Sequence, residues 1–341
     1  MKAAVLKKLK EPIVLEDVAT PTVGPYDVLV KTKACGICGT DVHMWEGWGY
    51  TPDLPFVMGH EPSGIVAEIG DKVTHFAKGD RVVTNNFFTC GSCLYCRTNR
   101  ETQCENLDGI LGVLKHWGGY GEFFVIPERQ LFHLPDKISF PEGAVIADAV
   151  VTAAHAVERG RVSAGEVVAV VGVGGCGSAA VQISKFYGAS VLGLDITDAK
   201  VAHIQNMAGI HAINVKKSDP KEFVFDHSEG KGATCVIDTV GSEESIQMGM
   251  SVLRRGSRLV ILGYTQQRYP LDPRQMAVNE MEIIGTRSGG RQCTANAIHF
   301  VADDRWKPIV TDHFRIEDVN DALKMMKAGE ALGRIVLTFD D

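Results

Sequence analysis

The chain has 341 residues, 45% hydrophobic and 23% charged, with a formal net charge of −7 at pH 7. That is enough apolar material for two compact domains with separate cores. A modestly acidic balance without a basic run or aromatic–basic interleaving argues against nucleic acid or anionic membrane as partners. No uninterrupted apolar run is long enough to span a bilayer. The first residues, Met1-Lys2-Ala3-Ala4-Val5-Leu6, go straight into a strand-like pattern, without the long apolar core of a signal peptide. Nine cysteines, four of them clustered, fit a reducing cytoplasm.

Residues 1 to about 148 read as short β-rich segments punctuated by Gly and Pro, among them Asp27–Thr32, Gly64–Ile69 and Asp80–Val83. Within them lies Cys35-Gly36-Ile37-Cys38-Gly39-Thr40-Asp41-Val42-His43, followed by Gly59-His60-Glu61. A catalytic zinc needs three protein ligands and one exchangeable position, and Cys38 and His60 are natural candidates. Next come Cys90, Cys93, Cys96 and Cys104 with the spacing C-x2-C-x2-C-x7-C. Four thiolates complete a tetrahedral shell that leaves no place for water or substrate, so a zinc here stabilises a loop. A disulfide pair is disfavoured because nothing else suggests secretion. An iron–sulfur cluster is compatible with the spacing alone.

From about residue 150 the pattern becomes strands alternating with amphipathic helices, which predicts a parallel α/β sheet. Val167–Val171 is the first strand, Ser178–Tyr187 a helix, Ser190–Leu194 the next strand, and Cys235–Asp238 and Leu259–Leu262 continue the series. Between the first strand and helix stands Gly172-Val173-Gly174-Gly175-Cys176-Gly177, a G-x-G-x-x-G run. Gly172 makes the tight turn, Gly174 lets the backbone approach a pyrophosphate, and Gly177 allows close helix–strand packing beside the free N–H groups of the helix. Asp195 ends the second strand, where a carboxylate accepts from ribose hydroxyls and repels a 2′-phosphate, so NAD is expected over NADP; its bland alternative is a helix N-cap. After Gly289 the pattern turns mixed, with a polar helix near Ile316–Lys327 and a last strand at Ile335–Phe339. The α/β block thus reads as an insertion: a β-rich domain over 1–149 and 289–341, with a metal lobe at about 88–106, and a nucleotide-binding domain over 150–288.

The combination of G-I-C-x-T-D-x-H, G-H-E, Gly79-Asp80-Arg81-Val82, the four-cysteine run, Gly118-Gly119-Tyr120-Gly121-Glu122 and G-x-G-G-x-G resembles zinc-dependent alcohol dehydrogenases of the medium-chain dehydrogenase/reductase family, over essentially the whole chain. The resemblance implies an α/β fold, a Rossmann doubly wound parallel sheet plus a GroES-like β-rich catalytic domain, with the active site in the cleft between them. It implies two Zn²⁺ per chain, one catalytic and one structural, NAD as cofactor, a small alcohol, aldehyde or ketone as substrate, and a homo-tetramer or homo-dimer. By the same resemblance Cys38 and His60 are catalytic zinc ligands, Glu61 is an acidic neighbour able to approach the metal, and Asp41 orients the ligating histidine. The third ligand departs from the best-known pattern: Asp148 stands where many members have Cys. Thiolate, carboxylate and neutral imidazole still balance Zn²⁺; the alternative is that Asp148 caps a helix and Glu61 or water completes the shell. Thr40 and His43 are implied as a proton relay, Lys200 as a contact of the adenosine ribose, and Arg334 as a contact of the pyrophosphate. Trp45, Trp48 and Tyr50 are candidates to line the substrate pocket, with core packing as the alternative. Within the same fold a polyol or threonine dehydrogenase is the nearest rival reading. A catalytically silent cofactor-binding relative is the rival from another class.

Overall fold

In the computed structural model, which describes residues 1–339, the chain divides into two compact units. The first comprises Met1–Val151, Gly289–Asp304 and Pro308 onward; the second comprises Thr152–Ser288 and Arg305–Lys307.

The first unit is built on a seven-stranded sheet. Its ordered path runs Leu131–His133, Arg81–Thr84, Glu61–Ile69, Asp27–Ile37, Arg334–Thr338, Val310–Arg315, with Phe123–Pro127 also pairing with Asp27–Ile37. The eleven-residue strand Asp27–Ile37 is the hub, and its register decides which residues meet at its end. Gly36 lies opposite Glu61 on one side, and Ile37 lies opposite Ile335 on the other. The strand therefore delivers Cys38 to the point where His60-Glu61 begins one neighbour and Arg334 begins the next. Gly36 makes this possible: a Cβ there would stand 1.9 Å from Glu61 Oε2, so only glycine lets that carboxylate lie over the strand. A core of Val5, Leu6, Ile37, Met44, Phe56, Met58, Ile335 and others seals the sheet.

A continuous helix, Phe140–Arg159, leaves the first unit. Ser139 caps it, its hydroxyl accepting from the Glu142 N–H while Glu142 reaches back to Ser139 N. Its middle, Ile146–Val150, widens into a π-helical turn, and Asp148 lies there. This helix is long and apolar enough to cross a membrane by length and composition, but it is 78% buried, so it is a core helix.

The second unit is a six-stranded parallel sheet in the order His211–Asn214, Ser190–Asp195, Val167–Val171, Ala233–Asp238, Leu253–Ile261, Glu282–Gly285. This is the doubly wound order of a Rossmann sheet, whose reversal lies between Val167–Val171 and Ala233–Asp238. Ala233–Asp238 is buried at every position, which accounts for its unbroken apolar pattern. The helix over Gly175–Phe186 starts three residues before the predicted Ser178, because the first turn is made of residues with low helix propensity. Leu253–Ile261 begins well before the predicted Leu259, since Arg254-Arg255-Gly256 hides the strand pattern and a register shift interrupts the pairing. The polar segment at Ile316 is a 3₁₀ turn over Ile316–Asp318 followed by an α-helix over Val319–Ala328.

Candidate active site

Cys38 directly follows the central strand and opens the helix Gly39–Glu46. Its backbone N–H donates to Asp41 Oδ2 at 2.8 Å, which fixes both the helix start and the Asp41 carboxylate. The other Asp41 oxygen faces His60 Nδ1 at 3.4 Å. His60 thus presents Nε2 to the opposite side, 3.8 Å from Glu61 Oε1 and 3.9 Å from Asp148 Oδ2. Ligand atoms of Cys38, His60, Glu61 and Asp148 all lie within 4.8 Å of one another. His60 is 4% exposed and Glu61 fully buried.

The electrostatics of this cluster call for a cation. Burial disfavours a charged His60, yet Asp41 and Cys38 outweigh it and push the imidazole well above its usual value. Burial drives Glu61 up to about 8, against the pull of Arg334. One soft sulfur, one imidazole and two hard oxygens around one point suit Zn²⁺, which accepts all three ligand types. The residues present fit the metal.

Arg334 enters the same cluster. Its Nε donates to Glu61 Oε2 at 3.0 Å, and Nη2 donates to Glu61 Oε1 and to Asp148 Oδ2, the latter at 2.7 Å. The sequence suggested a pyrophosphate contact; in the structure the guanidinium, 3% exposed, holds two carboxylates. Asp148 does not cap a helix start: it lies inside the π turn with its carboxylate in the cluster. Thr40 Oγ1 lies 3.8 Å from Cys38 Sγ. His43, one turn on, stacks on Trp48 with ring centroids 3.7 Å apart, and burial holds it below its ordinary value against the pull of Glu46 and Asp41. Trp45 and Tyr50 pack against the core of the first unit instead. Trp45 Nε1 donates to Glu11 O at 2.7 Å, and the ring lines a separate groove of about 390 Å³ with Lys10, Pro12 and Val42.

The four cysteines form a second, half-buried cluster, with Sγ separations of 3.5 Å (Cys90–Cys104), 3.9 Å (Cys90–Cys96) and 4.0 Å (Cys93–Cys104). A tetrahedron of ~2.3 Å Zn–S bonds has edges of about 3.8 Å. The sulfurs therefore fit one ion, whereas an iron–sulfur cluster spreads its thiolates over several irons. The Ser92 and Cys93 N–H groups, with the Ser92 hydroxyl, pull Cys90 down to about 5, so a thiolate is prepared for metal.

In the second unit, Gly172 adopts φ +79° at the end of Val167–Val171, and a Cβ on Gly177 would stand 1.8 Å from Gly172 O. The helix that follows has no side-chain cap, which leaves its first N–H groups to an anion. Asp195 accepts from Val173 N and Thr197 N, both at 2.9 Å, tying the second strand to the glycine turn. Lys200 Nζ lies 3.9 Å from where a Cβ on Gly174 would be. The turn fits a dinucleotide.

Residues 24–136 match the alcohol dehydrogenase GroES-like domain, and residues 175–303 match the zinc-binding dehydrogenase domain. An alcohol dehydrogenase of Geobacillus stearothermophilus is 34% identical over 342 residues, covering 100% of both chains. The chain belongs to the zinc-dependent alcohol dehydrogenase family. An NAD-dependent alcohol dehydrogenase of Sulfolobus acidocaldarius is 33% identical over 99% of each chain. The crystal structure of the Aeropyrum pernix alcohol dehydrogenase superposes with a TM-score of 0.93 at 32% identity, covering 99% of this chain and 100% of that one.

For a member of this family, sequence reasoning missed Gly36 and Tyr120. A glycine inside a strand of apolar residues is a usable signal for the first. Tyr120 is fully buried, and its ring occupies the space that a Cβ on Gly59, the residue before His60, would take. The G-G-Y-G pattern marks it only as a turn.

Proposed function

We propose that this chain is an NAD-dependent alcohol dehydrogenase that moves a hydride between a primary or secondary alcohol and NAD, giving an aldehyde or ketone, and catalyses the reverse. The observation that carries this is the buried set of Cys38, His60, Glu61 and Asp148 donors within 4.8 Å, in a chain that also has an uncapped glycine turn. Cys38, His60 and Asp148 hold the catalytic zinc; Cys90, Cys93, Cys96 and Cys104 hold a structural one. When bound, zinc acts as a Lewis acid on the substrate oxygen and NAD carries the hydride.

The chain's own residues do the rest. Asp41 keeps the His60 ring oriented so that Nε2 faces the other ligands. Thr40 Oγ1, beside Cys38, takes the substrate hydroxyl proton. Three residues along the same helix, His43 lies on the same face as Thr40, and its lowered proton affinity keeps the imidazole neutral and able to receive that proton. Gly172, Gly174, Gly175 and Gly177 admit the pyrophosphate, Lys200 approaches from the next helix, and Asp195 selects NAD by repelling a 2′-phosphate.

We assign residues 1–149 and 289–341 to the catalytic domain and 150–288 to the NAD-binding domain. We place the protein as a homo-tetramer or homo-dimer in a reducing cytoplasm, which suits nine free cysteines. Following NADH formation over linear, branched and aromatic alcohols, with NAD and NADP in parallel, tests the reading. An unchanged rate after a chelator has removed both ions would sink it.

A further inference from the structure

The two carboxylates of the metal cluster are nearly equidistant from the ligating nitrogen: His60 Nε2 is 3.8 Å from Glu61 and 3.9 Å from Asp148. Distance alone therefore does not decide which becomes the third ligand. The difference between them is Arg334, whose Nε and Nη2 grip both oxygens of Glu61 while Nη2 also reaches Asp148 Oδ2. We propose that Arg334 is the positioning residue that holds Glu61 off the metal, so that Asp148 is the third ligand and the fourth position stays exchangeable. This rests on the metal-site reading above.

Charge counting supports it. Thiolate, two carboxylates and the guanidinium leave two net negative charges, which one Zn²⁺ neutralises. Without the guanidinium, Glu61 is a fully buried carboxylate with no compensating side chain of its own, and the metal is the cation within reach. It then falls onto the ion and closes the shell with four protein ligands, the arrangement of a structural site. Asp148 keeps its bond to Arg334 while ligating, as coordinating carboxylates commonly accept a hydrogen bond. The fork explains why the residue is Arg: a lysine ammonium does not clasp two oxygens of one carboxylate in a fixed plane while reaching a second.

The test uses the zinc-loaded full chain, a chelator, and elemental assay of the ions remaining per chain, with the four-cysteine site as internal reference. Arg334→Met is expected to slow loss of the catalytic ion at least tenfold while lowering kcat. In the cobalt-substituted protein, added imidazole shifts the visible absorption of the unaltered chain and leaves the variant's unchanged. Adding Glu61→Gln to Arg334→Met restores both the faster exchange and the imidazole response. Arg334→Lys, the milder change if the Met variant does not fold, slows exchange severalfold. Loss from Arg334→Met or Arg334→Lys that is as fast as from the unaltered chain, or slowed exchange that survives Glu61→Gln, overturns the proposal. If the unaltered chain binds only the four-cysteine ion, the metal-site reading itself is what falls.

Discussion

The four-cysteine lobe and the Cys38–His60–Glu61–Asp148 cluster each gather four donor atoms within 4.8 Å, by opposite means. The lobe takes its ligands from fifteen consecutive residues, on a short helix (Leu94–Arg97) and turns, half-buried, all of one chemical type. The second cluster takes its members from a strand end, a neighbouring strand and a π turn 110 residues away from Cys38, mixes sulfur, nitrogen and oxygen, and is largely buried. Local, uniform ligands close a shell around an ion and need little else from the fold. Dispersed, mixed ligands need counter-charges such as Asp41 and Arg334, and those counter-charges can keep one coordination position available. The difference separates an ion that holds a loop from one that does chemistry.

The sharpest way to break this comparison is to remove one member of each set. His60→Ala is expected to lower turnover by roughly a thousandfold, about 4 kcal/mol of barrier, and to reduce bound zinc from two per chain to one, measured by steady-state kinetics and elemental assay. Cys93→Ser should do the converse: kcat within severalfold of the unaltered chain, but a stability loss of about 3 kcal/mol. That corresponds to a fall of roughly 6 to 12 °C in the calorimetric midpoint. Equal loss of activity in both variants would erase the distinction between the sites. Gly177→Ala perturbs neither metal and drives a methyl into Gly172 O. NAD affinity by titration should weaken roughly ten- to a hundredfold, about 1.4 to 2.8 kcal/mol, with both zincs retained.

The smallest effect lies away from both clusters and supplies a baseline for acid sensitivity. Burial pushes Glu166 upward, but the Arg258 hydrogen bond at 2.6 Å, the Ser163 N–H and the Arg258 charge outweigh it and hold the carboxyl below 4.5. A depressed carboxylate contributes stability that is complete above the unfolded value and is lost as pH falls through the folded one. Stability should therefore decline below about pH 4.5 by under ~1 kcal/mol from this pair, after allowing for solvent screening. Glu166→Gln, followed by thermal melts between pH 6 and 3, should show a shallower slope.

Sequence legibility followed the same division. The lobe could be read from spacing because its ligands are neighbours in the chain, and the parallel sheet because Val167–Val171 and Ala233–Asp238 are buried throughout. Cys38, His60 and Asp148 were legible only as members of a pattern, since nothing local says they converge. Arg334 was assigned a different partner because its contacts lie 273 and 186 positions away and are set by strand register, which periodicity does not reveal. Trp45 resembled a pocket residue by its place after the Thr40–His43 loop, but its indole N–H is committed to Glu11 O and its ring to the core. The start of the helix at Gly175 was hidden because the glycines that admit a phosphate are poor helix formers.

The π turn at Ile146–Val150 places a constraint on chain length as well as on composition. A π turn holds one residue more than a regular α turn, and here the surplus falls where Asp148 is aimed. Deleting a single residue between positions 146 and 150 would let the helix relax to ordinary pitch and swing whatever follows by roughly 100° about the axis. An enzyme with every ligand intact would then lose its carboxylate through a change of count alone, so this segment should tolerate substitutions better than indels.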